Sequence, residues 1–290
     1  MSYTIALIVF VLGTIIGSFL NVVILRYNTG MSIVGSPFSP KGRSQCFSCG
    51  KALCAFELVP ILSFVFLRGK CSACKSKISW QYPAVEFITG LIFAAIFIKN
   101  LKLFSGFSFQ SSFSSFVFPI FTFQFITTTI FYFIIWSILI VITVYDLKHK
   151  IIPNGLVYAF VLLSLFSSTF TLTNLLVGPL FFLFFYSLWF FSKGKWVGFG
   201  DAKLSLGIGF LLGLVDGVSA LIFAFWIGAA VSILIIALGA LSRTVRGGQL
   251  RSALGNLTMK SEIPFAPFLI LGTLIAFFCN IDIFGLSNLF

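Results

Sequence analysis

Long uncharged apolar runs separated by short basic segments dominate the chain. A helix that crosses the hydrocarbon core of a bilayer needs about 20 mostly apolar residues, and the runs divide on that scale. Tyr3–Leu25 is the first expected span, and Pro83–Ile98, which carries Glu86, is the second. From Leu103 to Tyr145 the chain is uncharged, too long for one helix. Its first part is rich in serine and contains Pro119, so only Phe125–Tyr145 is assigned as the third span. Ile151–Ser192 holds two spans with a turn near Thr171–Asn174. Leu204–Val215 is a short sixth, Val218–Leu241 the seventh and Pro264–Ile281 the eighth, with Asp216 and Gly217 at the turn between six and seven. The runs lack the alternation of a lipid-facing barrel. The expected fold class is therefore an all-α polytopic membrane protein of about eight transmembrane helices. The first run lacks a basic start and a small-residue cleavage site, which favours a retained span over a removable signal.

Composition agrees. Of 290 residues, 59% are hydrophobic and 9% charged, with a mean hydropathy of +1.11; a soluble domain is about a quarter charged. A net charge of +12 could signal nucleic acid, but its placement points to a membrane instead. With the N-terminus outside, segments 26–82, 146–150, 193–203 and 242–262 face the cytoplasm. They hold all of the 19 Lys and Arg residues except Lys99 and Lys102, as the positive-inside rule requires. A further span within 103–124 would reverse Lys148 and Lys150. The expected setting is a membrane, with lipid and not nucleic acid as the surrounding partner. Asp146 and Asp201 then lie at the cytoplasmic surface.

The polar segment 26–82 contains "CFSCG" and "CSACK", which place Cys46, Cys49, Cys71 and Cys74 in two CxxC pairs. Four thiolates at that spacing suit a closed tetrahedral, structural zinc site. The segment is too small and polar to bury a large core, so a metal crosslink would supply stability that burial cannot. Cytoplasmic placement disfavours disulfides, and Lys70, Lys75 and Lys77 favour thiolates. The alternative is four redox-active or unpaired thiols. Cys54 and Cys279 fit no such pattern and read as small buried apolar residues.

Asp146 closes the third span in "VYDLKHKIIPNG", and Asp201 sits in "VGFGDAKLSLG" ahead of the sixth. Each alone is satisfied as a solvated or lysine-paired acid at the membrane boundary. Two on one side, each at a helix junction, suggest a pair sharing one proton. One acts as general base on water while the other polarises a carbonyl, which is aspartic peptide hydrolysis. Gly198 and Gly200 remove side chains beside Asp201 so that a substrate backbone can approach. Lys203 favours the charged form there, and low dielectric opposes it. His149, between Lys148 and Lys150, reads as part of a solvated basic turn.

Several stretches together resemble the type IV prepilin leader peptidases. They are "GSFLNVVILR" (17–26), "VPILSFVFLRGKC" (59–71) within the paired CxxC loop, "YPAVEF" (82–87), "DLKHKIIPNGL" (146–156), "GFGDAKL" (198–204) and "PFAPFLILG" (264–272). They follow the family's order and reach across nearly the whole chain. The resemblance implies that Asp146 and Asp201 are catalytic, and that a short basic leader is cleaved from prepilins or pseudopilins after a glycine at the cytoplasmic face. It also implies N-methylation of the new N-terminus from S-adenosylmethionine, associated with the N-terminal portion and its cytoplasmic loop; no glycine-rich nucleotide motif marks a cofactor site. On this basis the chain divides into span 1–25, a four-cysteine zinc domain at 26–82 linked to methylation, and a peptidase domain at 83–290. Asn154 stands where an aspartate commonly follows "IP", and Val197 where methionine is frequent; neither removes a catalytic group.

Glu86 is an intramembrane acid and hence a functional candidate, or else the partner of a loop lysine. Glu262 receives a basic leader or is a solvated loop acid. Asn21, inside the first span, requires a hydrogen-bond partner on another helix. The competing readings are a peptidase without methyltransferase activity, a transporter with ion-relay carboxylates, and a zinc-stabilised adaptor. A transporter would place its acids near the bilayer midplane, and an adaptor leaves "GFGDAKL" without a purpose.

Overall fold

The computed structural model describes residues 2–27, 44–105, 117–167, 172–244 and 264–279, and among them there is no strand. The helices are α1 (Ser2–Arg26), α2 (Leu62–Phe66), α3 (Gln81–Ser105), α4 (Val117–His149), α5 (Asn154–Ser167), α6 (Leu172–Ser192), α7 (Phe199–Thr244) and α8 (Ala266–Cys279), with a 3-10 turn at Ala55–Leu58. Among the described residues, five stretches are long and apolar enough to cross a membrane: Thr4–Arg26, Gln81–Leu103, Phe123–His149, Leu175–Ser192 and Phe199–Ala237. Helices α5 and α8 are apolar but shorter.

Helix α7 is broken at Gly213, whose φ of 73° and ψ of −167° suit only glycine. Counting its parts 199–212 and 214–244 separately gives, with the other long helices, the eight apolar rods expected from the sequence. The break falls at Gly213, before the expected turn, and Asp216 and Gly217 continue the helix. Gly217 is instead a packing glycine, since a Cβ there would lie 2.6 Å from the Phe181 ring. Helix α4 begins at Val117, earlier than expected, and contains Pro119. That proline is in the first helical turn, where the missing N–H leaves no bond unmade. Helix α6 already includes Leu172–Asn174, so the turn expected near Thr171–Asn174 is helical from residue 172, and residues 168–171 lie outside the described residues.

The chain forms two compact units, Met1–Val141 and Ile142–Phe290. In the first, α1 and α3 run antiparallel at close range. A Cβ on Gly13 would lie 2.8 Å from the Gly90 Cα, and one on Gly17 2.7 Å from the Glu86 Cα. Small residues are what allow two helix backbones to approach in an apolar solvent. The Asn21 carboxamide donates to the Tyr82 carbonyl at 3.2 Å, which supplies the expected partner on another helix. Helices α3 and α4 are joined by Asn100 Nδ2 donating to Thr129 Oγ1 at 3.0 Å and by the stacked rings of Phe93 and Phe133 at 4.0 Å.

In the second unit α7 is the helix the others pack on. Phe160 of α5 covers Gly207, Gly178 of α6 meets Gly209, and Gly272 of α8 meets the backbone around Ala224. Ala202, Leu204 and Ile208 are fully buried on this axis. The packing carries the start of α7 to the end of α4, and this positions the acidic site.

Candidate active site and cysteine cluster

Asp146 lies in the last turn of α4, and Asp201 in the first turn of α7. Helices α5 and α6 run out and back between them, so both acids come to the same end of the second unit. They are 4% and 5% exposed. Asp146 Oδ2 and Asp201 Oδ1 are buried without a hydrogen-bond partner, and the charge of Asp146 acts on Asp201. Unpartnered buried oxygens are rare where a carboxylate is merely structural. Asp201 also acts on its own helix end. The Gly198 N–H donates to its Oδ2 at 3.1 Å, and its own N–H donates to the Gly198 carbonyl at 3.1 Å. This reciprocal pair caps α7 and leaves Oδ1 as the available oxygen.

The two motifs are braced against each other by groups that the sequence did not single out. Lys150, with φ of 54°, ends α4 while its N–H donates to the Asp146 carbonyl at 2.7 Å. The non-helical stretch 151–153 follows, and there the Ile152 side chain fills the space above Gly200, where a Cβ would come within 2.9 Å. Gly200 therefore serves packing against Ile152. Gly198 is exposed, and the nearest side chain to a Cβ there is Asp201 at 3.3 Å, so of the two glycines it is Gly198 that stays open. Lys203 turns away from the acids. Its Nζ donates to Asn154 Oδ1 at 3.0 Å and lies over the rings of Phe199 and Tyr158 at 4.7 and 5.1 Å. The charge-favouring role expected of Lys203 is replaced by a strap between α5 and α7. A lysine followed through the sequence has several acceptors in reach, and only packing selects among them. His149 is exposed and lies against the Tyr145 ring at 4.5 Å, in keeping with a basic turn.

The four cysteines converge in the first unit, with all Sγ atoms within 4.8 Å of one another and Cys46 and Cys74 at 3.8 Å. Zinc–sulfur bonds of about 2.3 Å in a tetrahedron separate the sulfurs by about 3.8 Å, so the cluster fits such an ion. It is built by a duplicated knuckle. Gln45 bridges Ala52 as Lys70 bridges Lys77, and the N–H of Cys46 donates to the Lys51 carbonyl as that of Cys71 does to Ser76, each at 2.9 Å. Gly50 and Lys75 hold the matching left-handed position, at φ of 70° and 59°.

Backbone N–H groups of Cys49 and Ser48, with the Ser76 hydroxyl, bring the Cys46 thiol down to about 6. Ser76, through its hydroxyl and N–H, lowers Cys74 as well. The Lys51 N–H pulls Cys49 down, but desolvation and the neighbouring Cys74 and Cys46 sulfurs outweigh it and push this thiol up to about 11. Glu57 ties the knuckles together. It accepts from the Ser72 hydroxyl, from Lys51 Nζ at 2.9 Å and from the Cys54 N–H at 2.8 Å. The Ser72 hydroxyl foremost, then the Cys54 N–H and Lys51, hold its carboxyl down at about 2. The signal was present in the Cys54-to-Glu57 spacing, which has the form of a helix capping box. Cys54 and Cys279 are both exposed, contrary to the buried apolar role expected of them.

Glu86 is buried and has no lysine partner among the described residues. Its Oε2 accepts the Ile61 N–H at 2.7 Å, and the Ser18 hydroxyl bonds to it as well. Glu262 lies outside the described residues.

Residues 11–100, which carry the cysteines and Glu86, match the Bacterial Peptidase A24 N-terminal domain. Residues 131–233, which carry both aspartates, match the Type IV leader peptidase family. The chain is 31% identical over 277 residues to the prepilin leader peptidase/N-methyltransferase of Bacillus subtilis (strain 168), a match covering 93% of this chain and 92% of that one. The protein of the same description from Burkholderia pseudomallei (strain K96243) is 27% identical over 293 residues, covering 90% and 81%. That from Stutzerimonas stutzeri is 31% identical over 225 residues, covering 69% and 70%. No solved structure matches the chain.

Proposed function

The chain belongs to the type IV leader peptidase family, and on that premise we propose that it removes the basic leader of type IV prepilins or pseudopilins, with Asp146 and Asp201 as the catalytic pair. The observation that carries this reading is the meeting of two buried carboxylates, each with an unpartnered oxygen, at one end of the second unit. Two buried acids whose charges act on each other settle most easily with one proton between them. The charged member takes a proton from water as the water oxygen bonds to the scissile carbonyl carbon. The protonated member gives its proton to the carbonyl oxygen. Collapse of the tetrahedral species breaks the C–N bond, and the proton first taken from water leaves on the new amine. The substrate strand enters over the exposed Gly198, with its hydrophobic helix in the bilayer. The distribution of Lys and Arg supports a cytoplasmic active site and an outside N-terminus.

Cys46, Cys49, Cys71 and Cys74 hold a structural zinc in this reading, supported by the sulfur spacing and by the absence of a position open to water. The relatives' description as N-methyltransferases supports methylation of the new N-terminus from S-adenosylmethionine, with segment 26–82 as the associated domain. Among the described residues there is no strand–loop–helix cradle for a nucleotide, so no residue is assigned to that cofactor and no step is routed through it.

The deciding experiment is prepilin cleavage by Asp146→Asn and Asp201→Asn in membranes. Both variants are expected to insert at wild-type abundance and to leave the substrate uncut; cleavage by either overturns the pair. Mass spectrometry of the processed substrate with S-adenosylmethionine separates the two activities, since an unmethylated product would make the chain a peptidase alone.

A further inference from the structure

The cysteine loop carries an apolar surface that is uncovered among the described residues. Phe56, Phe66 and Trp80 are 88%, 81% and 75% exposed, and Leu62 and Val65 are exposed beside them. Leu62, Val65 and Phe66 stand at i, i+3 and i+4, on one face of α2. The Phe64 ring lies against Trp80 with centroids 4.8 Å apart, which keeps α2 next to the residue that precedes α3. An uncovered apolar set of this kind marks an interaction surface.

Its depth is set by a single bond. The Ile61 N–H reaches the carboxylate of Glu86, five residues into α3, or about 7 Å below the start of that membrane helix at 1.5 Å per residue. Ile61 has φ of 60° and ψ of −52°, and the Leu62 N–H donates to the Pro60 carbonyl at 2.5 Å. This is a γ-turn at a β-branched residue, a strained form that persists only where its surroundings hold it. Glu86 and Ser18 are what hold it. The next turn of chain, α2, is thereby kept at the level where a bilayer changes from headgroups to acyl chains. An interfacial helix buries its apolar face about 5–10 Å into this boundary.

The flanking charge has one sign. Arg68, Lys70, Lys75 and Lys77 are exposed, and among the described residues none is ion-paired. Glu57, the acid within the loop, is engaged by Lys51 and Ser72. Exposed aromatics beside cations fit a bilayer with anionic headgroups.

We infer that segment 55–66 and Trp80 lie in the headgroup boundary of the leaflet where α1 ends and α3 begins, with the basic residues of 68–77 on anionic lipid and Glu86 as the positioning residue. This goes beyond the peptidase reading and does not depend on it.

The test uses the full chain in nanodiscs of zwitterionic or mixed anionic phospholipid. The Trp80 signal is the difference between wild-type and Trp80→Phe fluorescence. It is expected to be quenched by lipids brominated high on the acyl chain and shielded from aqueous acrylamide. Amide exchange over 55–70 is expected to be slower with anionic lipid. Replacing Arg68, Lys70, Lys75 and Lys77 with Gln should remove that difference, by about fivefold per charge. Glu86→Ala should bring Trp80 out to acrylamide, and Glu86→Gln, which keeps an acceptor for Ile61, should restore it. The wild-type quenching remains decisive even where Glu86→Ala fails to fold. Free access of acrylamide to Trp80, or protection that appears only with two chains per disc, overturns the inference.

Discussion

The cysteine cluster and the aspartate pair show two ways of assembling a polar site in an apolar chain. The cysteines come from one knuckle made twice, residues 45–52 and 70–77, each closed by its own short hydrogen bonds. Each knuckle positions its pair of sulfurs locally, and the Glu57 network then joins the two. The aspartates have no such local assembly. They lie at the ends of α4 and α7, and they meet because α5 and α6 pack on a glycine-lined α7. A locally built site tolerates change elsewhere in the chain, whereas a site made by helix packing depends on every contact that sets the helix ends.

The largest expected effect sharpens this contrast. Asp146→Asn and Asp201→Asn should each lower cleavage at least about a thousandfold, and the double variant should lose little more, because members of one catalytic unit are strongly non-additive. Losses that multiply in the double variant would show that the two acids act separately. Cys46→Ser should abolish stoichiometric zinc, measured by metal analysis, while leaving prepilin cleavage in place. Loss of cleavage together with zinc would break the separation between the regions. A smaller effect is expected for Gly200→Ala, which presses a methyl group on Ile152. Overpacking of this kind costs about 1–3 kcal/mol and should slow cleavage by moving the start of α7. Ile152→Ala in the same chain should recover part of both thermal stability and rate.

The acid dependence of the knuckles follows from Glu57, whose carboxyl is held at about 2 in the fold against about 4.3 in an unfolded chain. A depressed carboxyl stabilises the fold fully above its unfolded value and loses that contribution as pH falls toward its folded one. The gap in thermal midpoint between the wild type and Glu57→Gln should therefore be constant above about pH 5 and close below about pH 4. A gap that widens on acidification would reject the assigned network. The smallest effect is expected at Lys75, a left-handed residue where the other knuckle has Gly50. Lys75→Gly should be neutral to stabilising by about 1 kcal/mol, read as slower amide exchange across 70–77.

Sequence alone determined the parts that depend on composition and short spacing. Apolar run length set the helical membrane fold, and the CxxC spacing set the sulfur cluster, because a knuckle is closed within eight residues. The two aspartates were legible as residues, and their order and neighbours marked them. Packing decided the rest. "GFGD" has two glycines, and only the fold showed that Gly200 seats Ile152 while Gly198 stays open. Gly213 and Gly217 are equally able to break a helix, and the Phe181 ring claimed the second. Lys203 had acceptors on either side, and α5 brought Asn154 to it. Run length and knuckle spacing are properties of adjacent residues, fixed by chain geometry. The roles of a glycine, a lysine or a distant acid are set by the surface brought against them, which exists only once the helices have packed.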